Sequence, residues 1–375
     1  MNSVTSRTGK KRAQSAMLVL QNGRSFAGTA FGAACVAGGE LVFTTSLTGY
    51  TEALTDPSFF GQILVFTNPL IGNYGFEKHR MESGRIHVSG VVISEQARLF
   101  SNPLARRSLD EALRQAGVPG IEGVDTREIT VVLRTEGCQN GLLAPAPLSQ
   151  AEMKKRMAAL PDMKGLDLSG HVTIPKSEWI LPKKRSGIRI ALLDFGVKQN
   201  ILNELLARGS AIWRLPASTP ARAILNAGVD GLLLSNGPGD PGAMVDTYQR
   251  IRMILGRIPI FGICLGHQLL GLAAGLKTYK LKFGHRGTNH PVQDMRNRTI
   301  AITTQNHGFS VRPPARPNRD LCITHRSLYD GTVEGLELPG HQAFAVQFHP
   351  ESTPGPHDSM ELFDRFLAVC RKARR

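Results

Sequence analysis

The sequence predicts a two-domain α/β protein, in which a mostly parallel sheet flanked by helices is preceded by a smaller, strand-rich α/β domain. Three observations carry this. The chain has 375 residues, more than one ordinary core accommodates. Before about residue 143 it shows short apolar runs broken by Gly, Pro and Asn. After Gly187 it alternates strand-like and helix-like segments in the manner of βαβ units.

Residues 1–16 are basic and rich in Ser and Thr, and the first acid of the chain is Glu40, so this segment reads as a flexible basic tail. An organelle-targeting sequence shares that bias and is the alternative reading. Residues 17–143 form the expected first domain, with strands around Leu41-Val42-Phe43 and Gln62-Ile63-Leu64-Val65-Phe66. A helix is predicted from a Ser108 cap to Ala116, ended by Gly117. Residues 144–187 read as a linker opened by Ala144-Pro-Ala-Pro147; Ser149 and Glu152 suit a capping box for a helix through Leu160. In 188–375, strands are predicted at Ile188–Leu193, Ala211–Leu215, Gly231–Ser235 and Pro259–Ile263. Helices are predicted at Val197–Arg208, Ala221–Asn226, Val245–Gly256 and Leu265–Ala274. Ligands of such sheets sit at the carboxyl ends of the strands.

Composition narrows the function classes. Hydrophobic residues make up 41% and charged residues 20%, the balance of a globular protein with a sizeable interior. Cys35, Cys138, Cys264, Cys322 and Cys370 are odd in number and form no CxxC pair, which argues against a disulfide framework or zinc ribbon and for a reducing compartment. No apolar run reaches membrane-spanning length. The net charge of +15 raises nucleic-acid binding as an alternative, but the basic clusters are dispersed and not interleaved with aromatics.

Cys264 lies where an apolar strand meets a helix, inside Gly262-Ile-Cys-Leu-Gly266. The flanking glycines permit a tight turn that pushes the side chain out, and the helix N-terminus favours a thiolate. His349-Pro350-Glu351 supplies a base and an acid to orient it; Pro350 favours an extended segment in which the two side chains point to one side. Asn236-Gly-Pro-Gly-Asp-Pro241 follows a strand, and its glycines let backbone N–H groups approach a ligand as an oxyanion hole requires. It lacks the P-loop spacing. His285, His290 and His307 match no ligand pattern, and the Cys264/His267 pair has no second pair to complete a metal site, so no metal is assigned.

Together, Phe261-Gly-Ile-Cys-Leu-Gly-His-Gln-Leu-Leu270, Leu234-Ser-Asn-Gly-Pro-Gly-Asp-Pro241 and Gln347-Phe-His-Pro-Glu351 resemble the triad-type (class I) glutamine amidotransferases. Within these, the resemblance is to the family of small, glutamine-hydrolysing subunits of carbamoyl phosphate synthetase. It is carried by Phe43-Thr-Thr-Ser-Leu-Thr-Gly-Tyr-Thr-Glu-Ala-Leu-Thr-Asp-Pro57, Gly72-Asn-Tyr-Gly75, Gly123-Val-Asp-Thr-Arg127, Asp194-Phe-Gly-Val-Lys198, Lys282-Phe-Gly-His285, Asn289-His-Pro-Val292 and Gln305-Asn-His-Gly-Phe309. The similarity spans Met17 to the last helix.

The resemblance implies a class I glutamine amidotransferase domain at the C-terminus, with Cys264, His349 and Glu351 as the catalytic triad. It implies Gly239 and Leu265 as oxyanion-hole N–H groups, and Ser46, Gly237, Gln268, Asn306, Gly308 and Phe309 as further glutamine contacts. Ser46 would bring the first domain into the pocket. Ammonia would pass to a large subunit that uses ATP and Mg2+, with K+ as a further candidate, to make carbamoyl phosphate for pyrimidine and arginine synthesis. A heterodimer, or a larger oligomer built from it, in the cytoplasm is implied. An amidotransferase subunit of another synthetase is the alternative within the class. Two segments depart from the family pattern, Glu77-Lys-His-Arg80 and Ile129-Thr-Val-Val-Leu133, and both are placed on the first domain's surface, away from the site.

Overall fold

The structure, a computed structural model, describes residues 14–145, 148–184, 186–314, 316 and 319–374. Most of the basic tail, Ala146-Pro147 at the linker's start, Arg185 of its basic triplet and the terminal Arg375 therefore lie outside the described residues.

The first domain closes its strands into a seven-stranded barrel, ordered Ser15–Leu20, Ser25–Gly32, Pro119–Glu122, Gly90–Val92, Gln62–Phe66, Ala37–Thr44 and Gln139–Ala144, the last pairing back onto the first. Closure leaves no unpaired edge. Ser15 and Ala16, read above as tail, belong to the first strand, where Ala16 pairs with Gly28 and is buried. The helix Leu109–Ala116 carries a capping box between Ser108 and Glu111 and ends at Gly117 in the left-handed region. A helix at Thr126–Glu136 is absent from the sequence expectations; the Asp125 side chain caps it by accepting from the Glu128 N–H. Ile129, Val132 and Leu133 on that helix are buried in the domain core, so this departure from the family pattern is not a surface feature. Glu77 is likewise fully buried and pairs with His79 (2.8 Å) and Arg80 (3.1 Å).

The second domain is built on a ten-stranded sheet. Its centre is parallel, in the order Ala211–Pro216, Arg189–Asp194, Gly231–Leu234, Ile260–Ile263, Ala343–Val346. Alternate residues of these strands serve opposite faces, as the two-residue period of a strand requires. Ile190, Leu192, Phe261 and Val346 pack against the helices Gln199–Ala207 and Glu361–Ala373. Ala191, Leu193, Leu234 and Ala345 pack against Ala221–Asn226, Val245–Ile254 and Leu265–Ala273. Beyond the parallel centre the sheet turns antiparallel, ending in the long pair Thr278–Asp294 and Ile300–Val311.

That long pair meets the barrel. Lys280 forms an ion pair with Glu40 (2.6 Å), Phe43 stacks on Phe283, and the Cys138 N–H donates to the Lys282 carbonyl (2.8 Å). The stretch read as a linker is built into both domains: Asn140 of the barrel donates to the Leu160 (3.4 Å) and Pro161 (3.2 Å) carbonyls, and the later part joins the second domain. Glu178–Ile180 is its antiparallel edge strand, and Asp167 bridges to Gly239 while the Leu166 carbonyl accepts from the Asp240 N–H (2.8 Å). Within it, Ser149 caps the helix Gln150–Ala158, and Glu152 turns to Arg156 instead of completing the box. Among the described residues, no helix is long and apolar enough to cross a membrane.

Candidate active site

Cys264 sits between the central strand Ile260–Ile263 and the helix Leu265–Ala273, with φ 55° and ψ −103°. A non-glycine residue in that region costs about 1–3 kcal/mol and persists only where its surroundings over-determine it. Here the Cys264 N–H donates to the Val346 carbonyl (2.9 Å), and its carbonyl receives the N–H groups of His267 and Gln268. The flanking glycines act by packing, not by supplying the turn: a Cβ at Gly266 would stand 2.2 Å from the Leu234 carbonyl oxygen, and one at Gly262 2.6 Å from the Gly266 oxygen. The strained dihedral belongs to Cys264 itself.

His349 and Glu351 follow the neighbouring strand Ala343–Val346. The pair is not carried on an extended segment as its proline suggested. His349 makes a single bridge to Thr304, then the chain turns, with the Ser352 N–H donating to the His349 carbonyl (3.2 Å). The turn brings His349 Nδ1 within 2.7 Å of Glu351 Oε1. The contact fixes Nδ1 as the protonated nitrogen and leaves Nε2, which has no other hydrogen-bond partner, for the thiol. Burial opposes charge on the imidazole, but Glu351 and the negative charge of a Cys264 thiolate outweigh it and raise the His349 pKa.

Lys198 completes the charge chain. Its Nζ donates to Glu351 Oε1 (2.9 Å) and to the Thr353 carbonyl (2.7 Å), and both side chains are fully buried. Burial pushes the Glu351 carboxyl upward, yet Lys198 and His349 hold it at about 2, below its ordinary value of 4.5. A depressed carboxyl contributes stability that is present above the unfolded-state pKa and lost as pH falls through the folded one. The acid limb of unfolding is therefore expected to fall between about pH 4.5 and 2 by about 3 kcal/mol on this group's account. Glu351→Gln should flatten that limb in denaturant titrations at a series of pH values.

Two adjoining clefts meet at Asn306. One is lined by Cys264, Gly237, Gly239, Gln268, Asn306, Gly308 and Phe309. The other holds Ser46 with His349, Asn306, Thr304 and Lys198. Ser46 thus faces the His349 side of the site, and its hydroxyl accepts from Thr44 (3.2 Å). Leu265 leads the helix behind Cys264. Gln268 is held by the Phe309 carbonyl (2.8 Å) and Gln347 (3.0 Å), and Cys264 Sγ lies 3.6 Å from the Asn306 carbonyl. The Gly237 loop runs close to Phe195, whose carbonyl oxygen would be 2.2 Å from an added Cβ, and Gly239 has φ 99°.

Sequence reasoning missed Asp56, Ser58 and Asn236 as structural parts of the site. Asp56 accepts from Asn306 Nδ2 (2.9 Å), and Asn236 Nδ2 donates to Ser58 Oγ (2.9 Å), so the first domain holds two site loops directly. Asp56 and Asn236 lie inside the quoted motifs, and Ser58 directly follows one, which was the available signal.

The histidines do converge: His285, His307 and Glu334 bring one ligand atom each within 4.8 Å of one another. Burial opposes charge on His285, but Asp330 (3.0 Å) and Glu334 (3.6 Å) overcome it and raise its pKa to about 9. His267 is fully buried against Gln347, with burial holding it neutral.

A buried cysteine on a strand-to-helix elbow, an imidazole beside it and a carboxylate behind that define a class I glutamine amidotransferase site. The family model of "Glutamine amidotransferase class-I" matches residues 191–369, and that of "Carbamoyl-phosphate synthase small chain, CPSase domain" matches 18–143. A carbamoyl phosphate synthase small chain of Chlorobaculum tepidum is 46% identical, covering 96% of this chain and 98% of its own. That of Syntrophotalea carbinolica is 44% identical over 96% and 98%, and a pyrimidine-specific small chain of Halalkalibacterium halodurans is 43% identical over 94% and 96%. The chain belongs to the carbamoyl-phosphate synthase small chain family.

Proposed function

We propose that this chain hydrolyses glutamine and delivers the ammonia to the large subunit of a glutamine-dependent carbamoyl phosphate synthase. The observation that carries the reading is the buried line Cys264, His349, Glu351, with Nδ1 of the base 2.7 Å from the carboxylate. The Cys264 thiolate attacks the side-chain amide carbon of glutamine, and Gly239 and Leu265 N–H groups receive the developing oxyanion. The C–N bond breaks as His349 Nε2 gives its proton to the leaving nitrogen, releasing ammonia and leaving a γ-glutamyl thioester. His349 then takes a proton from water, which attacks the thioester; glutamate leaves and the thiolate is restored. Ser46, Gly237, Gln268, Asn306, Gly308 and Phe309 hold glutamine.

The division into a first domain and an amidotransferase domain is part of the same reading. So are ATP, Mg2+ and K+ use by the large subunit, a heterodimer in the cytoplasm, and a role in pyrimidine and arginine synthesis. The test is ammonia release from glutamine by the chain alone and with its large subunit. Release that rises with the partner supports the proposal, and none even with the cognate partner ends it. Ser46→Phe, which fills the cleft beside His349, should raise KM for glutamine roughly 10- to 100-fold while synthesis from free ammonia persists.

A further inference from the structure

The helix Gln199–Ala207 starts at Lys198, which offers no side-chain cap. The first N–H groups of a helix need acceptors, and here they come from the other domain. The Glu82 carbonyl accepts from the Gln199 N–H (2.8 Å) and the Glu82 carboxylate Oε2 from the Asn200 N–H (3.0 Å). Glu82 Oε1 stands 3.7 Å from Lys198 Nζ, with both side chains 3% exposed. The residues it organises both grip Glu351: Lys198 Nζ at Oε1, and Asn200 Nδ2 at the Glu351 carbonyl (2.7 Å). Glu82 is itself held by the Thr55 hydroxyl, which accepts from its N–H (2.9 Å).

Lys198 and His349 draw on the same oxygen, Glu351 Oε1, while Oε2 has no hydrogen-bond partner among the described residues. A buried ammonium seeks full compensation. With Glu82 sharing that charge, Glu351 keeps part of its charge for the imidazole; without it, the whole attraction of Lys198 falls on Glu351.

We propose that Glu82 is a positioning residue for glutamine hydrolysis, which from the first domain caps the helix carrying Lys198 and Asn200 and thereby sets Glu351 against His349. This rests on the function proposed above. It makes hydrolysis depend on the contact between the domains, since a shift of the loop at Glu82 relaxes Lys198 and Asn200 together. The charged groups bearing on this array are Glu82, Lys198, Glu351 and His349, with Asp56 and Glu52 acting on Lys198.

Two variants separate the roles. Glu82→Gln keeps an acceptor for the Asn200 N–H and removes the charge; Glu82→Ala removes both. In the complex with the large subunit, kcat/KM for glutamine is expected to fall about tenfold for Gln and about a hundredfold for Ala, the range that partners of an orienting group carry. Synthesis from free ammonia should stay within twofold in both, which reports an intact assembly. The pH profile of Cys264 alkylation by iodoacetamide should move to higher pH in Glu82→Gln, because Glu351, drawn wholly to Lys198, holds less of the imidazolium that stabilises the thiolate; a purely structural residue leaves it in place. Wild-type-like kcat/KM together with an unmoved alkylation profile in Glu82→Gln overturns the inference, and should Glu82→Ala fail to assemble, the Gln variant decides. Absence of glutamine hydrolysis in the wild-type complex would instead strike the function proposed above.

Discussion

Cys264→Ala is expected to lower glutamine-dependent turnover by roughly 10⁴-fold or more, since Cys138, a second thiol lining the cleft, is pushed up to about 11 by burial and is a poor thiolate. The substitution leaves the fold in place for a specific reason. Alanine has the same Cβ in the same strained conformation, φ 55°, held by the same N–H bond to Val346, and the side chain loses only a sulfur. The variant should bind the large subunit and support synthesis from free ammonia at the wild-type rate. The check is glutamate release by the assembled complex beside ammonia-driven synthesis; residual glutamine turnover above a hundredth of wild type would remove Cys264 as nucleophile.

His349→Asn should cost roughly 10³- to 10⁴-fold in kcat with glutamine, following what removal of a triad base costs elsewhere. The imidazole does three things that asparagine cannot. It holds a proton that Glu351 and the thiolate keep in place, passes it to the leaving nitrogen, and takes one from water. An amide at this position has no titratable nitrogen, so the pH dependence of the residual rate should flatten as well as fall. Near-normal turnover would assign the base elsewhere; the histidine of the elbow helix, His267, is held neutral by burial against Gln347.

The two local motifs were legible because their cause is local. A cysteine between an apolar strand and a helix, with glycines two residues to either side, leaves the backbone few options; contacts of 2.2 Å and 2.6 Å at the missing Cβ positions show why no larger residue fits. The strands Gly231–Leu234 and Ile260–Ile263 and the helix Ala221–Asn226 follow from periodicity in the same way. The helix Thr126–Glu136 was not legible, since its β-branched centre Thr130-Val131-Val132 carries no helical signal and only the Asp125 cap and the barrel core select that conformation. The proline after His349 misled in a similar manner. It excludes a helix, but a turn satisfies it as well as an extended strand does, and the turn is what sets Glu351 on Nδ1.

What the sequence by itself determined is the class of chemistry: a nucleophile, a base and an orienting acid in strings whose geometry is fixed within a few residues. What only the tertiary structure decided is how those groups are charged and held. Lys198 reaches Glu351 across 153 residues, Asn306 reaches Asp56 across 250, and Glu82 caps a helix of the other domain. In a sequence a lone Lys, Asp or Glu reads as solvated surface. Burial reverses that reading, because a charge taken out of water must find its counter-charge, and only the packing of barrel against sheet determines which residue supplies it.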